Sequence, residues 1–153
     1  MAFKLVKNKM KIEDMYCDIR ILNKGKEERI RAMIDTGNFL KDPITNSPVL
    51  IVEKNSLNNI LSKEILENTE EILNGKYEFQ NDEMEYAANF RVLPFSSLGK
   101  QNGMLLGFKV DQIETNINDD EILRKDIIIG IYEKKLSSKK NYEGLIGLNC
   151  IEE

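Results

Sequence analysis

The residues best suited to chemistry lie in the stretch Asp35-Thr36-Gly37, which sets a carboxylate, a hydroxyl and a glycine side by side. The two residues before it, Met33 and Ile34, are apolar, so the triplet follows the predicted end of a buried strand. Aspartate and glycine are both frequent in turns. The sequence therefore predicts a carboxylate at the mouth of a turn, where it could give or take a proton.

The absence of histidine from all 153 residues narrows the possible chemistry. It excludes Ser-His-Asp and Cys-His nucleophiles, histidine bases and histidine-ligated metals. Cys17 and Cys150 stand near opposite ends of the chain, without the spacing of a redox or zinc motif, and are predicted to be core residues. Carboxylate pairs, a Ser-Lys dyad or no catalysis remain, and neither a metal nor a cofactor is predicted.

Charge and length bound the class of protein. The chain has 22 basic and 26 acidic residues, a formal charge of -4, which argues against binding to nucleic acid or anionic lipid. It contains neither a secretory signal nor a long apolar run, and 153 residues suit one domain. We expect a single domain over residues 1–153, reduced and intracellular.

Two apolar runs must position Asp35. The runs 14–22 and 29–34 alternate in polarity, and turn-forming residues such as Asn23 and Gly25 separate them. They are predicted to form a hairpin whose second strand ends at the Asp-Thr-Gly triplet. A strand end held by a neighbour fixes a carboxylate better than a free loop does.

The remaining pattern contains more strands than helices. A helix is predicted from about residue 56 to 74, with a break near Ser62. Residues 119–124 are interpreted as a polar excursion, and residues 149–153 as a short tail. Further strands are predicted at 49–52, 86–93, 108–116 and 127–132. The predicted fold class is mainly β, a closed and mostly antiparallel barrel with one or two helices.

A second apolar segment ending in glycine, Leu145-Ile146-Gly147, follows the last predicted strand. A backbone that passes close beside a catalytic loop needs such a glycine. The triplet and this segment together resemble one half of the retroviral-type, pepsin-like aspartic peptidases. The runs 35–43, 93–100 with 103–105, and 128–132 more specifically resemble the sporulation sigma-E factor processing peptidases.

This resemblance implies a retropepsin-like barrel that needs no cofactor. It also implies the cytoplasmic domain of a membrane-anchored peptidase on the mother-cell side of endospore-forming bacteria. Its substrate would be an inactive sigma factor, pro-sigma-E, which loses an N-terminal prosequence. In the family a membrane region receives a signal from a protein in the other compartment. The chain lacks such a region, so we expect it to be only the soluble part.

By the same resemblance Asp35 is the catalytic residue, Thr36 braces the loop and Gly37 permits its turn. Peptide hydrolysis needs both an acid and a base, which two adjacent carboxylates sharing a proton can supply. Because the chain has one Asp-Thr-Gly loop, the family pattern predicts a homodimer with Asp35 from each copy. Thr36 would then bond to the partner's loop, or it is an ordinary turn threonine. Asn38 stands where retroviral enzymes prefer a small residue.

Three alternatives stay open at this point. The glycine-bearing segment from Ser96 to Leu106 is either a flap that closes over an extended substrate or a plain β-hairpin. Ser97 and Lys100 match the spacing of a Ser-Lys dyad, although Gly99 argues against the helix that such a pair requires. The third alternative is a non-catalytic dimerisation or peptide-binding signalling module that keeps the barrel.

Overall fold

The computed structural model describes residues 15–38, 40–95, 103–139 and 141–152. Strands dominate the described part of the chain. They are β1 (Tyr16–Asn23), β2 (Lys26–Ile34), β3 (Val49–Glu53), β4 (Phe90–Phe95), β5 (Gly103–Ile117), β6 (Asp120–Tyr132) and β7 (Gly144–Ile146).

The strands form one sheet in the order β1-β2-β7-β3-β6-β5-β4, and a further pairing of β1 with β5 closes it into a six-stranded barrel. Strand β4 lies outside this ring, paired with the first part of β5. The pairs β2–β7 and β3–β6 are parallel, whereas the other pairs are antiparallel. The predicted mainly β, closed and mostly antiparallel barrel is therefore confirmed.

Short left-handed turns close the two longest hairpins. Lys24 and Gly25 join β1 to β2 with φ angles of 51° and 78°. Asn118 and Asp119 join β5 to β6 with φ angles of 52° and 67°. Both pairs suit the tight turns that match the twist of antiparallel strands. The predicted polar excursion at 119–124 is wrong, because β6 starts immediately after this turn and its first residues alternate along an exposed arm.

The region before β5 differs from the predicted strand at 86–93. Residues Met84–Ala87 form a short helix, and β4 begins at Phe90. Strand β4 also continues through Pro94, which pairs with Met104. Proline lacks the N–H that a second neighbouring strand would need, and β4 is an edge strand that has only one neighbour.

The predicted helix at 56–74 is two short helices, α1 (Lys63–Glu67) and α2 (Thr69–Leu73). Ser62 begins α1, since its hydroxyl oxygen accepts a hydrogen bond from Ile65 N at 3.2 Å. The break lies at Asn68, whose Nδ2 donates to the carbonyl oxygen of Glu64 at 2.8 Å. None of the helices in the described ranges has the length and apolar character needed to cross a membrane.

The main core fills the barrel interior, and a smaller apolar cluster packs on the outside of β3. Leu50 and Val52 point into the barrel, whereas Val49 and Ile51 join the outer cluster with Leu93 of β4. Strand β3 is thus buried on both faces, which explains why it is an unbroken apolar run. This strand links the barrel to the loop that carries Asp35.

Both cysteines are core residues, as predicted. Cys17 is 4% exposed and Cys150 is fully buried. Burial disfavours the charged thiolate and raises the pKa of each thiol to about 12, from an ordinary value of 9.0.

Thiol reactivity is expected to follow this burial. At pH 8 the thiolate fraction of either cysteine is about 1000-fold lower than that of a free thiol, so iodoacetamide should label the native protein extremely slowly. The free energy of unfolding should fall as pH rises from about 9 to about 12, since only the unfolded chain then loses these protons. Mass spectrometry of labelled native and urea-unfolded protein tests the first point. Equal labelling of the two states would contradict it.

Candidate active site

Asp35 directly follows the last residue of β2 and is fixed by the neighbouring strand. In the parallel pair of β2 and β7, Ile34 lies opposite Ile146. The backbone N–H of Asp35 donates to the carbonyl oxygen of Ile146 at 2.8 Å, which extends this ladder by one hydrogen bond. The Asp35 side chain therefore projects from the end of the barrel at a position fixed by two strands.

Hydrogen bonds within the loop fix the Asp35 side chain. Gly37 N donates to Asp35 Oδ1 at 3.2 Å, and Asn38 N donates to the carbonyl oxygen of Asp35 at 3.0 Å. Oδ1 of Asn38 in turn accepts from Leu40 N at 3.0 Å. Asp35 is half-buried, whereas Thr36 and Gly37 are exposed. The predicted turn is confirmed, and it presents a carboxylate and a hydroxyl at the protein surface.

Gly147 lies against this loop, which confirms the predicted close approach. A Cβ atom added at Gly147 would overlap the carbonyl oxygen of Asn38 and lie 2.8 Å from Oδ1 of Asn149. Any side chain larger than hydrogen would therefore push the backbone of the Asp35 loop outwards.

The residues after Gly147 brace the loop, a role that the sequence analysis missed. Residues Leu148–Cys150 form a 3-10 turn and Ile151 is buried, so the interpretation of 149–153 as a tail is wrong. Asn149 Nδ2 donates to the carbonyl oxygen of Leu40 at 3.2 Å. Apart from the nearby glycine, the sequence gives no signal for this contact, because its two residues are 109 positions apart.

Replacing Asn149 by alanine is expected to lower the free energy of unfolding by about 1 kcal/mol, because the carbonyl oxygen of Leu40 loses one of its two donors and keeps only Val49 N. Oδ1 of Asn149 is buried without a partner among the described residues, so its removal offsets part of the loss. Urea unfolding measures the change.

Asn58→Ala is the matched control, since Asn58 Nδ2 donates to a backbone carbonyl at 2.7 Å on the exposed surface. We expect a smaller loss for this variant. Equal losses for the two variants would show that Asn149 does not hold the loop.

The other predicted site segments are only partly described. Ser97, Lys100 and the rest of residues 96–102 lie outside the described residues, as does the tip of the proposed flap. At its base Phe95 pairs with Gly103, so the hairpin arrangement of the flanking strands is established. In the described ranges no three Cys, Asp or Glu side chains cluster as metal ligands would.

A comparison with known protein families gives the family of this chain. A family model described as Peptidase_U4, sporulation factor SpoIIGA, matches residues 1–149. The chain belongs to this family. The resemblance found in the Asp-Thr-Gly loop and the later apolar runs is thereby confirmed.

The descriptions of individual relatives are consistent with membership of the SpoIIGA family. A protein of Priestia megaterium described as a sporulation sigma-E factor-processing peptidase is 29% identical over 133 residues, or 87% of this chain and 43% of that protein. A Bacillus subtilis protein with the same description is 30% identical over 120 residues, or 76% of this chain and 38% of that protein. The chain thus spans less than half the length of these relatives. No solved structure gives a significant match.

Proposed function

We propose that the chain is an aspartic endopeptidase domain that removes the N-terminal prosequence of pro-sigma-E during endospore formation. The observation that most directly supports this proposal is the geometry of the Asp35 loop. Its carboxylate accepts a hydrogen bond from Gly37 N, and its backbone N–H donates to the carbonyl oxygen of Ile146. The SpoIIGA family and the descriptions of the two relatives support the substrate class.

The Asp35 loop supplies half of such a site. A single carboxylate cannot both activate water and polarise the peptide carbonyl, whereas two that share a proton can do both. The sequence contains one Asp-Thr-Gly triplet, so a second copy of the chain must bring the other Asp35. We therefore propose a homodimer with one Asp35 from each protomer across the two-fold axis.

The exposed Thr36 supports this assembly. Its hydroxyl has no hydrogen-bond partner within the described residues, although it lies next to the anchored Asp35. Across the two-fold axis each Thr36 can donate to the partner's loop and fix the distance between the two carboxylates. Gly37 keeps the turn free of a side chain at the point where substrate must approach.

The substrate is expected to bind in an extended conformation. Extended peptides gain main-chain hydrogen bonds and place alternate side chains in separate pockets. Leu40 and Leu145, which flank the Asp35 loop, are half-buried and pack on the outer apolar cluster. They offer apolar contacts for side chains next to the scissile bond. The hairpin of β4 and β5 would cover the bound substrate peptide as a flap.

The cellular setting follows from the same proposal. The domain would act at the cytoplasmic face of the mother-cell membrane, as part of a longer membrane-anchored protein. A signalling protein from the other compartment would control it through the membrane region. Cleavage of purified pro-sigma-E by the wild type, compared with Asp35→Asn, tests the central claim, and the expected result is developed in the Discussion.

A further inference from the structure

A basic cavity lies beside the short hairpin of residues 40–49, which joins the Asp35 loop to β3. Its volume is about 580 Å³, and residues 45–48 form one wall. Four cationic residues line it, against one acidic residue, Asp126. The cations are Arg91, Lys109, Arg124 and Lys125. This concentration of positive charge is unexpected in a chain whose formal charge is -4.

Two of these four charges are not neutralised within the described residues. Lys109 Nζ pairs with Asp126 Oδ1 at 3.3 Å, and Arg91 Nε lies 3.6 Å from Asp42 Oδ2. Arg124 is held instead by the backbone carbonyl of Glu152, a neutral acceptor that orients the guanidinium without cancelling its charge.

Lys125 is exposed and takes part in no ion pair of the described residues. Arg124 and Lys125 therefore leave an uncompensated positive field at the cavity. Such a field attracts a negatively charged ligand.

The hairpin wall is built to keep its shape. Asp42 is 1% exposed, and its two carboxylate oxygens accept from Ile44 N at 3.1 Å and Thr45 Oγ1 at 2.8 Å. Its backbone N–H donates to Ser47 O at 2.9 Å. A preformed wall lowers the entropy lost when a ligand binds.

This wall is continuous with the candidate active site. The hairpin runs from the Asp35 loop to β3, and Val49 N donates to the carbonyl oxygen of Leu40 at 3.1 Å where its two ends meet. A polypeptide lying across Asp35 can therefore continue over the hairpin into the cavity.

We propose that the cavity binds an acidic segment of the substrate protein, outside the segment that Asp35 cleaves. This inference rests on the proposed peptidase function and adds a second recognition site to it. Arg124 and Lys125 provide the uncompensated charge, and the fixed hairpin provides the wall. The interaction selects substrates by charge and speeds their encounter with the enzyme.

Binding of a fluorescein-labelled hexaglutamate peptide tests the site directly. Fluorescence anisotropy is measured at low salt in the Asp35→Asn background, so that the assay needs no catalysis. The double variant Arg124→Gln with Lys125→Gln is expected to raise the dissociation constant about five- to tenfold. Lys125→Glu, which removes no hydrogen bond of the described residues, should weaken binding at least as much.

The matched control is Lys134→Gln with Lys135→Gln, which removes the same charge from another exposed surface. It should leave the dissociation constant unchanged. Equal affinity of the Lys125→Glu variant and the wild type would overturn the proposal. Binding of an oligouridylate or of inorganic phosphate in place of hexaglutamate would overturn it as well.

Cleavage kinetics give the second readout. The double variant should raise KM for pro-sigma-E about five- to tenfold with little change in kcat, and a short peptide that spans only the cleavage site should be cut as by the wild type. An equal effect on both substrates would overturn the proposal. If the wild type cleaves neither substrate, the proposed function fails, and hexaglutamate binding alone then decides what the cavity accepts.

Discussion

Replacement of Asp35 by asparagine is expected to lower the rate of pro-sigma-E cleavage by at least about 10³-fold while the barrel stays folded. Asparagine keeps the Oδ1 that accepts from Gly37 N, so the loop retains its internal hydrogen bond. It cannot ionise, so the two side chains of the proposed pair could no longer share a proton. Appearance of the shortened sigma factor, followed by gel electrophoresis and mass spectrometry, measures the effect.

Mixing wild type with the Asp35→Asn protein tests the pair itself. If each active site needs Asp35 from both protomers, mixed dimers are inactive, and activity falls more steeply than dilution alone predicts. Asp120→Asn is the matched control, because Asp120 is an exposed aspartate at the start of β6. Mixtures of the wild type with the Asp120→Asn protein should keep full activity.

Two other results would change the assignment. Undiminished cleavage by Asp35→Asn would exclude the aspartic mechanism and direct attention to Ser97 and Lys100. Wild-type and variant proteins that bind pro-sigma-E equally but cleave nothing would favour the non-catalytic peptide-binding module.

Gly147→Ala is expected to lower the free energy of unfolding by about 2–4 kcal/mol and to reduce cleavage in parallel. The added methyl group would overlap the carbonyl oxygen of Asn38, so the backbone of the Asp35 loop must move. Displacing this loop also disturbs the distance between the two carboxylates in the proposed dimer. Urea unfolding and the cleavage assay measure the two effects.

The matched control for the unfolding measurement is Gly103→Ala in β5. Among the described residues, the nearest heavy atom to a Cβ at Gly103 is the carbonyl oxygen of Phe95, at 3.8 Å, which is an ordinary contact. This variant should change stability much less. A Gly147→Ala protein as stable as Gly103→Ala would mean that the two segments can separate without loss.

The sequence predicted the parts of the site whose signals are local. Asp35 and Gly37 carry their turn chemistry in neighbouring residues, and the apolar run before Gly147 marks a buried strand end. Strand alternation also predicted the barrel class. The helix break was expected near Ser62 but lies at Asn68, because a side chain that bonds to its own helix has no distinctive sequence pattern.

Contacts between distant segments could not be predicted in this way. Asn149 meets Leu40 only because β7 inserts between β2 and β3. The basic cavity draws its cations from three strands, so no periodicity in the chain brings them together. The turn at Asn118 and Asp119, by contrast, is a local signal that was overlooked.

The position of β7 has a consequence for biosynthesis. This three-residue strand is the last of the seven described strands in chain order, yet it lies between β2 and β3 and supplies Ile146, which fixes the backbone of Asp35. A growing chain that still lacks β7 has an open gap in the barrel wall and an unanchored Asp35 loop. Long-range closure of this kind also slows folding. The Asp35 loop can therefore reach its final position only after residues 144–147 have been synthesised and have left the ribosome.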